Sequence, residues 1–187
     1  HMLCVGTQDG WLKLYDTRID TSKSSEKAAS ISIYAHAGKR KLNVAGVRPD
    51  PFHPELLATF SDSQQDSVKI WDIRTKSGSK SKVPVITIVP HGGSEGHFNQ
   101  ASRVNDVAWH PTRESLLSVA TSNHKQVLLY STVHVNHSSS ADGVMHTPHH
   151  FIATQGTVHS LSWQRHQDDS VRLLGATTAG LADLRIV

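Results

Sequence analysis

The sequence contains little cysteine, few aromatic residues and no long apolar run. Its single cysteine, Cys4, excludes an internal disulfide framework and a cysteine-based zinc site. No apolar run approaches the ~20 residues that cross a bilayer, and the longest, Val83 to Val89, is interrupted by Pro84 and Thr87. No stretch of a dozen residues repeats apolar positions at helical spacing. We therefore predict neither a transmembrane segment nor a helical fold.

Charge is also scarce, since only 19% of the residues are charged and the formal net charge is +3. A balance this mild does not require nucleic acid or an anionic membrane as a partner. The short basic clusters at 39–41 and 74–82 are typical of solvated loops, because nucleic-acid binders carry a more extended basic stripe. We therefore predict no nucleic-acid partner.

Histidine is abundant, with 14 residues in the chain. Several of them crowd one Ser-rich segment, in which Asp142 is the only acidic residue. Both a transition-metal site and a flexible polar insert are compatible with this composition. Because a structural or catalytic metal needs a fixed ligand set, we predict no metal and no cofactor, while the metal alternative stays open. The histidines of this segment are His134, His137, His146, His149 and His150.

Short apolar runs recur along the whole chain, separated by Gly, Pro, Ser, Asn and Asp, which is typical of many short strands. Three kinds of run follow one another in the same order. The third kind ends in an aromatic residue at Tyr15, Trp71 and Tyr130, spaced by 56 and 59 residues. The sequence therefore predicts an all-β repeat protein. The first kind begins at Val44, Val104 and Val158; the second is Leu56–Thr59, Leu116–Val119 and Leu173–Ala176; the third is Leu12–Asp16, Val68–Asp72 and Val127–Ser131.

The dipeptides Trp71-Asp72 and Gly96-His97 resemble the signature dipeptides of WD-repeat β-propellers. The resemblance implies an all-β fold, a partial WD-repeat β-propeller with two complete and two partial four-stranded blades. It implies a fragment of one propeller domain over residues 3–187, with blade segments at about 3–36, 42–89, 103–154 and 157–187. The dipeptide His1-Met2 is interpreted as a cloning remnant. The repeat exceeds the ~40–45 residues of a standard blade, so the excess is expected in loops.

The same resemblance implies a structural role for several polar and aromatic residues. In WD blades a His, an Asp and the strand-ending Trp form a hydrogen-bonded group that ties a loop to a strand. The implied members in the second blade are His36, Asp66 and Trp71, with Thr59 or Ser61 as the hydroxyl. The third blade has a weaker set, so we expect uneven blade stability, and no catalytic residue is predicted. That weaker set is His97, Asn123 and Tyr130, and the further structural blade residues are Asp72, Trp109 and Trp163.

Two longer segments resemble the Mios family, the WD-repeat subunits of the GATOR (SEA) complex that relays amino-acid status to the TOR pathway. They are Asp50–Phe60 with the following Val68–Arg74, and Val107–Arg113. The resemblance implies a non-catalytic scaffold whose partners are other protein subunits. It implies a cytoplasmic protein that reaches the lysosomal or vacuolar membrane surface through those partners. The alternative is a general WD-repeat adaptor, or a peptide or histone reader, in another pathway. An enzyme is disfavoured because no catalytic spacing motif occurs.

A partial propeller leaves sheet edges with unpaired N–H and C=O groups. We therefore expect the isolated chain to dimerise through these open edges, to exchange strands or to aggregate. The alternative is a monomer whose edges are covered by its own loops. The loops after Tyr15, Trp71 and Tyr130 join the third strand of a blade to the fourth, so they project from one end of the propeller. That end is a predicted contact surface, because loops on a rigid scaffold carry binding, and strand addition at an open edge is another.

Overall fold

The short aliphatic and β-branched runs form strands in the computed structural model. It describes residues 2–18, 31–35, 42–61, 68–74, 83–90, 102–122, 125–132, 144–145, 148–168 and 170–184. Every regular element in these ranges is a β-strand, and none of them contains a helix. Turn residues end the strands as the sequence predicts. Gly10, for example, lies in the turn of the first hairpin with a φ of 86°, a value that residues with a Cβ rarely adopt.

The strands form four sheets in chain order, and successive strands within each sheet are antiparallel. Sheet 1 contains β1 (Met2–Gly6), β2 (Trp11–Asp16) and β3 (Ile31–Tyr34). Sheet 2 contains β4 (Gly46–Pro49), β5 (Leu56–Phe60), β6 (Val68–Asp72) and β7 (Ile86–Ile88). Sheet 3 contains β8 (Val104–Trp109), β9 (Leu116–Thr121), β10 (Gln126–Ser131) and β12 (His150–Ala153). Sheet 4 contains β13 (Val158–Arg165), β14 (Val171–Thr177) and β15 (Gly180–Leu184).

A fifth strand on sheet 2 is absent from the sequence prediction. The two-residue strand β11 (Val144–Met145) pairs in parallel with β7. It lies in the His- and Ser-rich segment between β10 and β12, where two residues are too few to show a period-2 pattern. Met2, which the sequence analysis sets aside with His1, is the first residue of β1 and pairs with Asp16.

The pairing register aligns the sheets with one another. In sheets 2 and 3 the aromatic residue of the third repeated run stands opposite a leucine of the second repeated run. In sheets 1 and 4, Tyr15 and Leu184 stand opposite a leucine in the same way. By this alignment sheet 1 holds the second, third and fourth strands of a blade, and sheet 4 holds the first, second and third. The aligned pairs are Tyr15 with Leu3, Trp71 with Leu57, Tyr130 with Leu117, and Leu184 with Leu173.

The hydrophobic core lies between the sheets, as three clusters at the three joints between sequential sheets. Leu12 and Leu14 of sheet 1 pack on Leu57 and Trp71 of sheet 2, and equivalent clusters fill the other two joints. The first strands β4, β8 and β13 are successive neighbours across these joints. Sheets that stack face to face around their first strands form a β-propeller. The predicted all-β partial propeller, with two complete and two partial four-stranded blades, is confirmed, and β11 adds a fifth strand to sheet 2.

Candidate functional site: the joints between sheets

The indole of Trp71 is held by the hydroxyl that the sequence analysis names first. Its Nε1 donates to Thr59 Oγ1 at 2.9 Å across the β5–β6 pair, and both side chains are buried. A buried indole N–H without an acceptor would be destabilising, so this bond fixes the ring within the joint between sheets 1 and 2. His36 and Asp66 lie outside the described residues, and the four-residue group stays a prediction.

A second repeated contact follows the aromatic residue at the end of two third strands. Asp72 accepts hydrogen bonds from the backbone and side chain of Arg74, and Asp16 does the same for Arg18. These bonds raise the pKa of both arginines and lower the pKa of Asp16. In sheet 3 the aligned residue is Ser131, so this end of the strand has no equivalent carboxylate.

Tyr130, a member of the weaker set predicted for the third blade, lacks the kind of acceptor that Trp71 has. Its side chain is fully buried, and its hydroxyl has no hydrogen-bond partner among the described residues. By register, Val119 occupies the place of Thr59, so the acceptor that Trp71 uses is missing. Burial raises the pKa of the Tyr130 phenol. His97 and Asn123 lie outside the described ranges.

Removing this hydroxyl tests that interpretation. We expect Tyr130→Phe to leave the free energy of unfolding unchanged or to raise it by about 1 kcal/mol, because a buried polar group without a partner is costly. Trp71→Phe, which leaves Thr59 without its donor, is the matched comparison and should lower stability by about 1–3 kcal/mol. Urea unfolding followed by circular dichroism measures both changes. A clear loss in Tyr130→Phe would mean that the phenol does have a partner.

Trp109 and Trp163 reach across the joints rather than along their own sheets. Trp109 Nε1 donates to the carbonyl of Arg48 at 3.1 Å, and Trp163 Nε1 donates to the carbonyl of Ala108 at 3.3 Å. Arg48 and Ala108 are equivalent positions on the first strands β4 and β8. The same bond therefore ties sheet 3 to sheet 2 and sheet 4 to sheet 3. Trp163 also lies 3.2 Å from Ser118 Oγ.

Asp106 is the most connected side chain at these joints, and the sequence analysis does not select it. On sheet 3, its Oδ1 accepts from Arg48 Nη2 of sheet 2 at 2.8 Å. Its Oδ2 accepts from Ser160 Oγ and from the Leu161 amide of sheet 4, both at 3.0 Å. Its side chain is only 6% exposed. One carboxylate thus joins three sheets, and the sequence signal was a charged residue inside the apolar run Val104–Trp109.

Arg48 completes this arrangement from the sheet 2 side. Its Nε donates to the Val107 carbonyl at 3.2 Å, and its guanidinium lies over the Phe60 ring, 5.8 Å from the centroid. A planar guanidinium serves this position because it donates in a fork and stacks on a ring at the same time. The ion pair with Asp106 therefore fixes the orientation of the Arg48 side chain, in addition to pairing two charges.

His110 is a second residue that the sequence analysis does not select, and it shapes the turn after β8. Its Nδ1 accepts from the amides of Thr112 and Arg113 at 3.1 and 2.9 Å. Its ring packs on Trp163 of sheet 4, with the centroids 4.3 Å apart. Asp50 holds the aligned place after β4, where its carboxylate accepts from the amides of residues 52 and 53.

The neutral form of His110 is the one that fits this turn, because Nδ1 must accept. Burial, with Arg113 as a second cause, lowers its pKa from 6.5 to about 4. The unfolded chain therefore binds this proton more readily than the folded one. We expect the contribution of His110 to the free energy of unfolding to be fully present above pH ~6.5. It should be lost as the pH drops towards ~4, by at most about 1.4 kcal/mol per pH unit.

The matched control for this pH dependence is His110→Asp, which copies Asp50. A carboxylate accepts the same two amides and, with an ordinary pKa of ~3.9, stays mostly ionised down to pH ~4.5. The loss of stability between pH ~6.5 and ~4.5 should therefore shrink. Urea unfolding midpoints of both proteins from pH 7.5 to 4.5 give the difference. Parallel curves for the two proteins would show that His110 is not the responsible group.

A groove lies between sheets 2 and 3 at the end of the propeller where the third strands finish. Its rim carries Glu55, Asp72, Arg74 and Glu114, and Leu56, Ile70 and Ile86 are among its apolar lining. Arg74 bonds Glu55 as well as Asp72, and Glu114 contacts His53 at 3.0 Å. Within the described ranges, no group of three His, Cys, Asp or Glu side chains could hold a metal ion. In the same part of the chain, no helix is long and apolar enough to cross a membrane.

The fold and its repeated joints, with the similarities that follow, identify a WD-repeat protein that resembles Mios. The chain is 29% identical over 128 residues to the GATOR2 complex protein MIOS of Dictyostelium discoideum, covering 68% of this chain and 9% of that protein. It is 33% identical over 91 residues to MIOS-A of Xenopus laevis, covering 49% and 8%. A WD repeat-containing protein of Saccharomyces cerevisiae is 25% identical over 117 residues, covering 58% and 20%. The chain thus spans a fifth or less of each relative.

Solved structures agree with the fold. A chain of the mitotic checkpoint complex matches with a TM-score of 0.57 and 21% identity, covering 100% of this chain and 50% of that one. A chain of the Chaetomium thermophilum Polycomb Repressive Complex 2 matches with a TM-score of 0.60 and 18% identity, covering 94% and 33%. No family model matches the chain.

Proposed function

We propose that the protein is a non-catalytic interaction scaffold, and that residues 3–187 form part of one β-propeller of a GATOR/SEA-complex subunit. The observation that carries the proposal is the similarity to MIOS proteins from two distant organisms. Both relatives bear the name of a GATOR2 complex protein, so this chain would take part in the same kind of assembly. Amino-acid signalling to the TOR pathway is the function that follows from that membership.

The proposed mechanism is surface presentation by a rigid framework. Side-chain contacts across the joints, above all those of Asp106 and of the indoles of Trp109 and Trp163, fix the sheets relative to one another. A fixed framework lowers the entropic cost of holding a binding surface in one arrangement. The groove between sheets 2 and 3 lies at the end that carries the loops after Tyr15, Trp71 and Tyr130. We propose this end as the contact surface for other protein subunits.

The test is a native purification of the full-length parent protein from its own cells, followed by mass spectrometry. We expect other WD-repeat subunits of the complex in stable ratio, and we expect the parent at the lysosomal or vacuolar surface only through them. Charge reversal in the groove by Glu114→Lys should reduce recovery, whereas Lys125→Glu, on an exposed turn at the opposite end, should not. Recovery of no such subunit would overturn the assignment.

A general WD-repeat adaptor in another pathway is the second candidate. The similarity to the yeast WD repeat-containing protein supports it, because that name specifies no complex. The same purification separates the two candidates. Recovery of chromatin, receptor or trafficking proteins would favour the adaptor and would leave the scaffold mechanism intact.

A further inference from the structure

The groove between sheets 2 and 3 is a cavity of about 370 Å³ with an acidic rim and an aliphatic floor. The floor includes the buried Ile70 and Ile86, and Val85, which is 43% exposed, also lines the groove. The volume lies within the ~300–1,000 Å³ of typical ligand sites. Sheets 2 and 3 each have a sheet on both sides within the chain. The groove therefore does not depend on where the sequence begins or ends.

Negative charge exceeds positive charge among the residues that line this groove. Three carboxylates, those of Glu55, Asp72 and Glu114, accompany one guanidinium, that of Arg74. Arg74 pairs with the two carboxylates of its own sheet, with Glu55 at 3.2 Å and with Asp72 at 2.8 Å. Glu114 belongs to sheet 3, and its side chain is 61% exposed. A cation that enters the groove from outside would therefore meet Glu114 first.

A buried carboxylate behind the groove adds to this negative charge. The Asp50 side chain is 1% exposed, and its Oδ2 has no hydrogen-bond partner among the described residues. This oxygen lies 3.6 Å from Nδ1 of His53, and Nε2 of the same ring lies 3.0 Å from Glu114. The imidazole thus stands between two carboxylates. The groove keeps an excess of negative charge whether or not His53 is protonated.

A second cavity, a shallow hollow of about 310 Å³, lies at the same end of the propeller and closer to the first strands. First and third strands run in the same direction, so the residues after β4 and β8 lie where β6 and β10 finish. The indole N–H groups in the hollow already donate to backbone carbonyls, so the lining offers mainly apolar surface. This lining includes Pro49, Pro51, Pro111, Trp109 and Trp163.

Two turns separate the hollow from the groove. In the β4–β5 turn, Pro51 lines the hollow and His53 lines the groove. In the β8–β9 turn, Pro111 lines the hollow and Glu114 lines the groove. Steps of two or three residues span at most ~11 Å, so one short extended segment could reach both cavities. Phe52, between Pro51 and His53, is 41% exposed and adds aromatic surface to the first turn.

We propose that the two cavities together bind an extended segment of a partner protein, with a basic side chain in the groove and a proline or aliphatic residue in the hollow. The aliphatic floor suits the stem of a lysine or arginine, and the carboxylates suit its charged head. Arginine fits best, because its planar fork pairs with a carboxylate through two donors. The inference rests on the proposed contact surface and specifies the kind of segment that this surface accepts.

The experiment is a fluorescence-anisotropy titration of the purified protein with the labelled peptide Leu-Pro-Gly-Arg-Gly-Pro-Leu. Its order of residues is the same from both ends, so the apolar pair can reach the hollow in either chain direction. We expect saturable binding below ~1 mM that weakens as salt is added. A peptide with glutamate in place of arginine should bind more weakly, and so should one with serine in place of each leucine and proline.

Three protein variants assign the binding to the two cavities. Glu114→Lys should weaken binding by about tenfold, because repulsion replaces attraction. Asp9→Lys is the matched control, since it makes the same charge change in the exposed turn between β1 and β2, at the opposite end. Its affinity should equal that of the wild type. Ser162→Lys places a charge in the hollow and should weaken binding of the arginine peptide more than binding of the serine peptide. Circular dichroism checks that the variants remain folded.

Absence of binding up to ~1 mM peptide would overturn the proposal. Equal weakening by Glu114→Lys and Asp9→Lys would overturn it too, since attraction to the whole protein would then suffice. An unchanged affinity in Ser162→Lys would remove the hollow from the site and overturn the two-cavity form. The native purification is a separate readout. Complex subunits recovered without peptide binding would overturn the ligand class alone, whereas peptide binding without those subunits would overturn the assembly alone.

Discussion

Replacing Asp106 by alanine is expected to lower the free energy of unfolding by about 3 kcal/mol. The substitution removes the acceptor of Arg48 and of two groups on sheet 4, so both neighbouring joints lose a tie at once. The Arg48 side chain is 43% exposed, so water can solvate it and the loss stays below that of a fully buried ion pair.

Two further variants make this result specific. Asp106→Asn keeps the shape and one acceptor oxygen, so it should lose less than Asp106→Ala. Glu114→Ala removes an exposed carboxylate from a contact with His53 and should cost less than about 1 kcal/mol. Urea unfolding of all three measures the differences. Equal losses for Asp106→Ala and Glu114→Ala would show that the buried carboxylate does not join the sheets.

Gly46→Ala is expected to be equally damaging for a steric reason. A Cβ at this position would overlap the Phe60 ring, with Cε1 and Cζ as its nearest atoms. Phe60 is the direct cross-strand partner of Gly46 and is 4% exposed, so the ring has little room to move. Overpacking of a core costs about 1–3 kcal/mol, and we expect the upper end here or a failure to fold.

Sheet 3 indicates a second substitution that should relieve the overlap in Gly46→Ala. The positions equivalent to Gly46 and Phe60 hold Asp106 and Ala120 in sheet 3, a larger residue facing a smaller one. Gly46→Ala combined with Phe60→Ala should therefore lose less stability than the sum of the single changes. We expect a coupling of about 1–3 kcal/mol in a double-mutant cycle of urea unfolding. Strict additivity would contradict the proposed overlap.

The sequence predicts the strands and their order because each repeat carries its own short apolar runs, bounded by turn residues. The resemblance to WD blades implies a hydroxyl partner for Trp71 at Thr59 or Ser61, and the contact in the structure is with Thr59. The contacts of Asp106, and the packing of the His110 ring on Trp163, escape prediction because these partners lie on other sheets, some 50 residues away in the chain. A linear pattern shows that a polar residue interrupts an apolar run, but it does not show which groups satisfy that residue.

The proposed contact surface is predictable only in outline. The sequence indicates which end carries the loops after the third strands, because strand direction follows from the repeat. It does not indicate that Arg74 would bond both Asp72 and Glu55, or that Glu114 of sheet 3 would reach His53 of sheet 2. These contacts depend on how closely two sheets approach, which the joint clusters determine.

The parallel pairing of β11 with β7 has a consequence for the order of folding during synthesis. Thr87 pairs with Val144, so the outer edge of sheet 2 receives its last strand 57 residues after β7 has been made. Nearly all of sheet 3 emerges from the ribosome in that interval. Contacts between residues so far apart in the chain form slowly. Until β11 pairs with it, the unpaired edge of sheet 2 is prone to pair with other chains. Sheet 2 is thus begun before sheet 3, yet it is completed only when most of sheet 3 is present.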